Sequence, residues 1–217
     1  MNLPNRLSLS RLIITPIMMF FYLATFIPYG KFVALGLFIA GAFTDFLDGH
    51  IARKYNLVTD MGKFLDPIAD KLLVTTALIL VAVDGTIMSP FGAIVLAIFV
   101  GRDLAVDMLR LVASSKGVVI AADKLGKYKT FSQDIALPLL ILYSALSLLS
   151  IQATILTIIM WVAYGFLIFA TLLTVISLIN YLIKNRAVFT EKKWIKIIRR
   201  FYAKYWLYRK NRKSCYG

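Results

Sequence analysis

Four aspartates lie in or beside apolar stretches of the chain. Asp45 and Asp48 are three residues apart, and Asp66 and Asp70 are four apart. These spacings place each pair on one face of a helix, and two adjacent antiparallel helices would bring the four carboxylates together. A cluster of oxygen ligands favours hard cations such as Mg²⁺ or Mn²⁺. Two such ions balance four carboxylates and can stabilise the attacking and leaving oxygens of a phosphoryl transfer.

Carboxylates inside a membrane usually have a function, because one Asp at the centre of a membrane helix costs about 2.5–3.5 kcal/mol. The alternative is solvated aspartates at the membrane surface, paired with Lys63 and Lys71.

The residues between the aspartates fit phosphoryl-transfer chemistry. Gly49 and Gly62 allow close approach of a ligand or serve helix packing. Arg53 has the forked donors that bind a diphosphate, or it anchors a cytoplasmic loop.

The segment 45–70 resembles the signature of the CDP-alcohol phosphatidyltransferase family. Eight fixed positions have the family's residues and spacing, which makes the match highly specific. These positions are Asp45, Asp48, Gly49, Ala52, Arg53, Gly62, Asp66 and Asp70. The resemblance extends over most of residues 1–183 and implies transfer from a CDP-linked donor to an alcohol, with release of CMP.

The same resemblance implies roles for individual residues. It implies two ions, Mg²⁺ or Mn²⁺, one held by Asp45, Asp48 and Asp66 and the other by Asp45, Asp66 and Asp70. Asp70 is also the implied general base. The implied contacts to the CDP-diacylglycerol donor are Gly49, Arg53, Thr59 and Asn5. The resemblance further implies a homodimer.

Charged residues outside the signature indicate which alcohol is the acceptor. A predicted fourth span carries Arg102, Asp103, Asp107 and Arg110, and the next one opens with a basic run that includes Lys127 and Lys129. Cations at this depth suit an acceptor that carries its own phosphate, and we predict that Arg102, Arg110, Lys127 and Lys129 bind it. The alternatives are internal ion pairs and a general cytoplasmic excess of positive charge. The pattern is similar to a branch of the family whose acceptor is glycerol 3-phosphate.

Composition identifies the elements that hold these residues. Of the 217 residues, 60% are hydrophobic and 17% charged, and the mean hydropathy is +0.78, which excludes an ordinary soluble domain. Six apolar stretches predict an all-α polytopic protein with six transmembrane helices, at about 8–28, 31–48, 64–84, 90–113, 131–150 and 153–183. A short amphipathic segment is expected before the first. Lys and Arg collect on one side, so both termini and the active site are predicted to be cytoplasmic, in the plasma membrane.

The chain divides into a membrane domain at 1–183 and a basic tail at 184–217. The tail has twelve Lys or Arg residues and one Glu. Aromatic residues recur at helical spacing beside the basic ones, which is typical of an amphipathic helix on anionic membrane lipid. A loosely held disordered tail is an alternative, and nucleic acid is a less favoured ligand that we do not predict as a partner.

Three other functions remain open from the sequence. A related enzyme with phosphatidylglycerol as acceptor (a cardiolipin synthase) or with inositol phosphate would keep the same metal site. A divalent-cation transporter would explain the aspartates but not the spacing of Gly49, Arg53 and Gly62. A membrane-tethered binder would act through the tail alone.

Overall fold

The computed structural model of the chain consists of six α-helices. The structure describes residues 3–55, 60–115, 124–149 and 152–185, and these contain no β-strand. The helices are α1 (Leu3–Leu23), α2 (Gly30–Tyr55), α3 (Asp60–Val83), α4 (Phe91–Ser115), α5 (Lys124–Leu146) and α6 (Ala153–Lys184). The prediction of an all-α fold is confirmed. Almost all of the predicted amphipathic tail lies outside the described residues.

Several helix boundaries differ from the predicted spans. The polar segment 49–63 was predicted as a connection, but α2 continues to Tyr55 and α3 begins at Asp60. Polar residues at the end of an apolar run do not break a helix, because its backbone hydrogen bonds are independent of side-chain polarity. The short amphipathic segment expected before the first span is continuous with it, since α1 runs unbroken from Leu3. It ends at Leu23, before a turn in which Tyr29 has a φ of 64°.

The helices alternate in direction along the chain. Helix α1 packs against α2 and α3, helix α5 against α2, α3 and α6, and helix α4 against α3 and α6. We call the end where α1, α3 and α5 begin the proximal end, and the other the distal end. Apolar side chains fill the centre, among them Phe38, Leu73, Leu140 and Leu167.

Two glycines fix the register of the first three helices. A Cβ at Gly30 would lie 2.5 Å from the carbonyl oxygen of Phe21, which brings the start of α2 against the end of α1. A Cβ at Gly41 would lie 2.6 Å from Cδ2 of Leu73, so α2 and α3 are in close contact there. Only glycine permits these approaches without a shift of the neighbour.

The outer surface of the bundle is apolar. Helix α6 buries small and polar residues at spacings of three and four, including Ala163, Ala170 and Ser177, while Leu172 and Ile176 on its other faces are more than half exposed. Within the described ranges, two helices are long and apolar enough to cross a membrane, at Arg6–Leu23 and Ala153–Lys184, and shorter apolar stretches occupy Gly30–Thr44 and Lys71–Val83. An exposed apolar surface of this kind is suited to lipid.

A polar cluster ties four segments together at the distal end. Asp84, just after α3, accepts hydrogen bonds from Ser144 of α5 at 2.6 Å and from Tyr22 of α1, and it pairs with Lys31 of α2 at 3.0 Å. Partial burial raises the pKa of Asp84, but the hydrogen bonds from Ser144, Thr86 and Tyr22 together lower it to about 2. The cluster therefore stabilises the bundle through an ionised carboxylate.

Candidate active site

The backbone register brings the four signature aspartate positions to the proximal ends of α2 and α3. Because Gly41 lies against Leu73 in an antiparallel pair, position 45 falls level with 69–70 and position 48 with 66. The side chains of Asp45, Asp48, Asp66 and Asp70 lie outside the described residues, so their predicted roles stay predictions. The backbone nevertheless places the four positions in two levels at one end of a helix pair.

The predicted donor contacts are also outside what the structure describes. Gly49 and Arg53 belong to the last turns of α2, and Asn5 to the first turn of α1, but nothing is described of their side chains. Thr59 lies outside the described residues altogether.

A cavity of about 240 Å³ opens at the proximal end between α3, α4, α5 and α6. All four cations predicted to bind an acceptor phosphate line it: Arg102, Arg110, Lys127 and Lys129. Lys71 and Val74 of α3 complete one wall. Position 70 precedes Val74 by one turn on the same helix face, so the cavity lies directly along α3 from the proposed base.

Asp103 holds two of the four cations in place. Its carboxylate accepts hydrogen bonds from Nζ of Lys129 at 3.1 Å and from Nη1 of Arg102 at 3.0 Å. Nη2 of Arg102 donates to Oγ of Ser177 on α6 at 3.0 Å. Lys129 is only 4% exposed, and its Nζ also lies 4.8 Å from the ring centre of Phe99. Internal ion pairing, the alternative reading of these charges, is therefore present in the cavity wall itself.

The other two cations keep their donors available. Arg110 and Lys127 are exposed side chains on α4 and α5. Nε of Arg110 donates to the hydroxyl of Tyr181 at 3.2 Å, an arrangement that orients the guanidinium and leaves its two Nη atoms for a ligand. Among the residues whose side chains are described, Lys127 has no ion pair. These two side chains are the ones best placed to meet an incoming anion.

Sequence reasoning missed part of this cavity. Lys71 pairs with Asp107 of α4, a partner that was not predicted, and Gln133 of α5 also lines the wall. Ser177 and Tyr181 of α6 were not predicted as site residues. Their signal was available, since two hydrogen-bonding side chains four residues apart share one face of an otherwise apolar span.

The net charge of the cavity wall is positive. Five cationic side chains line it, Lys71, Arg102, Arg110, Lys127 and Lys129, against the two carboxylates of Asp103 and Asp107. A small cavity with this excess is suited to a compact anion, and the pairing of planar guanidinium groups with oxyanions favours a phosphate. Its volume is below the range of about 300–1,000 Å³ that drug-sized ligands occupy.

The donor set decides which metal suits the signature. Among the residues whose side chains are described, no three His, Cys, Asp or Glu residues lie close enough to hold a metal ion. The predicted ligands are outside that part of the chain. They are all carboxylates, without a thiolate or imidazole in the signature's fixed positions, and such sets fit Mg²⁺ or Mn²⁺ better than zinc or copper.

Comparison with known proteins agrees with this arrangement. The family model for CDP-alcohol phosphatidyltransferase matches residues 1–169, and the chain belongs to that family. It is accordingly a transferase.

Three curated relatives show how the chain sits within the family. It is 44% identical over 155 residues to a CDP-diacylglycerol--glycerol-3-phosphate 3-phosphatidyltransferase of Bacillus subtilis strain 168, covering 66% of this chain and 78% of the relative. A protein of the same name from Rickettsia bellii is 38% identical over 163 residues, covering 75% and 87%. A cardiolipin synthase (CMP-forming) of Oryza sativa is 35% identical over 155 residues, covering 65% and 46%.

Proposed function

We propose that this enzyme transfers a phosphatidyl group from CDP-diacylglycerol to sn-glycerol 3-phosphate, giving phosphatidylglycerophosphate and CMP in phospholipid biosynthesis. The observation that carries the proposal is the basic cavity, in which Arg110 and Lys127 are exposed beside the signature helix α3. The names of the Bacillus and Rickettsia relatives, which share most of their length with this chain, support the same donor and acceptor.

Two divalent ions, Mg²⁺ or Mn²⁺, would be held by the signature carboxylates. Asp45, Asp48 and Asp66 would bind one, and Asp45, Asp66 and Asp70 the other. When bound, the ions supply Lewis-acid stabilisation of the charge that develops on the phosphoryl oxygens.

The side chains of the enzyme carry out the remaining steps. Asp70 accepts the proton from the 1-hydroxyl of glycerol 3-phosphate. The resulting oxygen forms a bond to the phosphorus that bears diacylglycerol, and the bond from this phosphorus to the CMP oxygen breaks, so CMP leaves with the electron pair. Gly49 and Arg53 hold the cytidine diphosphate, with Thr59 and Asn5 as further donor contacts.

The four cavity cations divide the work of binding the acceptor. Arg110 and Lys127 contact its phosphate directly, because their donors face an accessible volume. Arg102 and Lys129 shape the wall and contribute positive potential, because Asp103 already engages both of them. This division keeps the acceptor's phosphate at one end of the cavity and its hydroxyl toward α3.

The membrane arrangement follows from the same bundle. We propose six transmembrane helices in the plasma membrane, with both termini and the active site cytoplasmic; the apolar outer surface and the basic proximal end support this topology. The bundle at 1–183 forms the catalytic domain, and the tail at 184–217 binds anionic lipid. The functional unit is a homodimer.

An enzyme with another acceptor is the second candidate, favoured by the similarity to the Oryza cardiolipin synthase. A cavity of about 240 Å³ suits glycerol 3-phosphate better than phosphatidylglycerol, whose glycerol carries a diacyl lipid. Inositol phosphate is a third possible acceptor. A cation transporter would use the aspartates without any nucleotide.

The deciding experiment is CMP release by purified full-length protein in detergent, with CDP-diacylglycerol and Mg²⁺ or Mn²⁺. The acceptors to compare are glycerol 3-phosphate, inositol phosphate, inositol, serine and phosphatidylglycerol. Release with glycerol 3-phosphate alone is expected. Release with another acceptor alone would refute the acceptor assignment, and no release by folded protein, together with metal flux in proteoliposomes, would favour transport.

The proposed base has its own test. Replacement of Asp70 with Asn should abolish turnover but largely spare CDP-diacylglycerol binding, because the amide cannot accept the proton while three other carboxylates remain. Binding is measured by titration with labelled donor. Retained turnover in Asp70→Asn would remove Asp70 from the base role.

A further inference from the structure

Helix α1 has a buried polar face that the proposed function does not yet use. Ser8 and Arg11 are fully buried and Thr15 is 3% exposed. Their spacings of three and four place them on one side of the helix. The helices that α1 packs against are α2 and α3, so this face is turned into the helix group that carries the signature. A fully buried arginine in such a place requires an explanation.

The register of the helices gives the depth of Arg11. From the contact between Gly30 and Phe21, position 11 of α1 is level with position 40 of α2. From the contact between Gly41 and Leu73, position 40 is level with position 74 of α3. Positions 45 and 70 are therefore four to five residues nearer the proximal end, a distance of about 6–8 Å along the axis.

The direction of α1 favours a contact across this distance. Tyr22, near the end of α1, bonds to Asp84 just after α3, so α1 and α3 are parallel and both begin at the proximal end. Side chains lean toward the N-terminus of their helix. The Arg11 side chain accordingly leans toward the level of positions 45 and 70.

The positions of the acidic residues also indicate that Arg11 acts on the signature. The acidic residues of α2 and α3 are Asp45, Asp48, Asp60, Asp66 and Asp70. Each of them lies on the proximal side of Arg11, and positions 45 and 70 are the nearest. A buried guanidinium is strongly unfavourable unless a carboxylate compensates it. The signature positions are the negative charges that α2 and α3 carry nearest to Arg11.

We propose that Arg11 is a positioning residue of the metal site: its positive charge, one to two turns from positions 45 and 70, offsets the repulsion among the signature carboxylates and so favours the arrangement that binds the ions. This inference rests on the proposed function, since it takes these carboxylates as metal ligands. Residues behind metal ligands typically change metal affinity by about 10- to 100-fold when removed.

The test is direct Mn²⁺ binding to full-length protein in detergent, followed by electron paramagnetic resonance of free Mn²⁺ and without any substrate. Arg11→Met should weaken Mn²⁺ affinity about 10- to 100-fold. Arg11→Lys keeps the charge but loses the forked donors, and should weaken it about 3- to 10-fold. Thr15→Val is the matched control, because it changes the same buried face one turn further from the aspartates and should leave the affinity unchanged.

The outcomes separate this inference from the proposed function. If the wild type binds no Mn²⁺, the metal-dependent mechanism fails first. If the wild type binds Mn²⁺ and folded Arg11→Met binds it equally well or more tightly, the positioning role is overturned while the mechanism stands. If Arg11→Met does not fold, Arg11→Lys decides: an affinity equal to that of the wild type overturns the role, and a loss of 3-fold or more with Thr15→Val unchanged supports it.

Discussion

Replacing Arg110 with Met should impair binding of glycerol 3-phosphate much more than the chemical step. The structure orients this guanidinium through Tyr181 and leaves its Nη atoms facing the cavity. A hydrogen bond to a charged group contributes about 1.5–3 kcal/mol, and the lower figure applies because Arg110 is exposed to solvent. A loss of about 1.4 kcal/mol corresponds to a tenfold change. We therefore expect KM for glycerol 3-phosphate to rise about tenfold while kcat changes little, since the contact is the same in the ground and transition states.

The assay is CMP release at saturating CDP-diacylglycerol and varied glycerol 3-phosphate. Inhibition by inorganic phosphate provides a second readout, and its Ki should rise by a similar factor in Arg110→Met. Tyr181→Phe is the matched control, because it removes the orienting hydroxyl and keeps the charge, so KM should rise only about 2- to 5-fold, the equivalent of 0.5–1 kcal/mol. An unchanged KM and Ki in Arg110→Met, or a fall in kcat alone, would refute the assignment of Arg110 to the acceptor phosphate.

Three further predictions concern stability, measured as thermal unfolding in detergent. Asp103→Asn should destabilise the protein by about 1–3 kcal/mol, because buried Lys129 loses its charged partner; an unchanged melting temperature would contradict the ion-pair assignment. Asp84 has a pKa of about 2 in the fold against 3.8 unperturbed. Its ionised carboxylate should therefore stabilise the folded state by about 2 kcal/mol, and this contribution should be complete above about pH 4 and be lost as the pH falls toward about 2. Asp84→Asn should remove this pH dependence. Gly30→Ala should destabilise the protein by about 1–3 kcal/mol, because the added Cβ would meet a backbone carbonyl. Gly36→Ala is the control within α2: its Cβ would meet nothing within 4 Å, so it should be neutral or stabilising by up to about 1 kcal/mol.

The sequence predicted the helices and the basic cavity well because both follow from local rules. Apolar runs of sufficient length form helices, and charged residues within them turn inward, so cations from α4 and α5 meet in one cavity. The sequence did not reveal which cations are engaged. That depends on Asp103, which reaches its own neighbour Arg102 and also Lys129 on the next helix, a tertiary contact that spacing does not encode.

Most of the contacts that were missed join an uncharged side chain to a charged one on another part of the chain. Ser177 bonds to Arg102 and Tyr181 bonds to Arg110; their spacing of four in a strongly apolar span indicates a shared polar face, but it does not tell which side chains on other helices they contact. The distal cluster was missed for a similar reason, since Tyr22 and Ser144 bond to Asp84 from helices far away in the chain. Hydrogen bonds of this kind are determined by packing, which sets the register before any polar group can find its partner.

The division of labour between helices bears on how acceptor choice changes within the family. The signature lies on α2 and α3, whereas the cations proposed to meet the acceptor lie on α4 and α5 and are supported from α6. Lys71, the residue after Asp70 on α3, forms an ion pair with Asp107 on α4. This ion pair links a helix that carries the signature to a helix that carries cavity cations. We therefore expect substitutions on α4, α5 and α6 to alter which alcohol is held without touching the four aspartates. The cavity, not the signature, is therefore the place to test acceptor specificity.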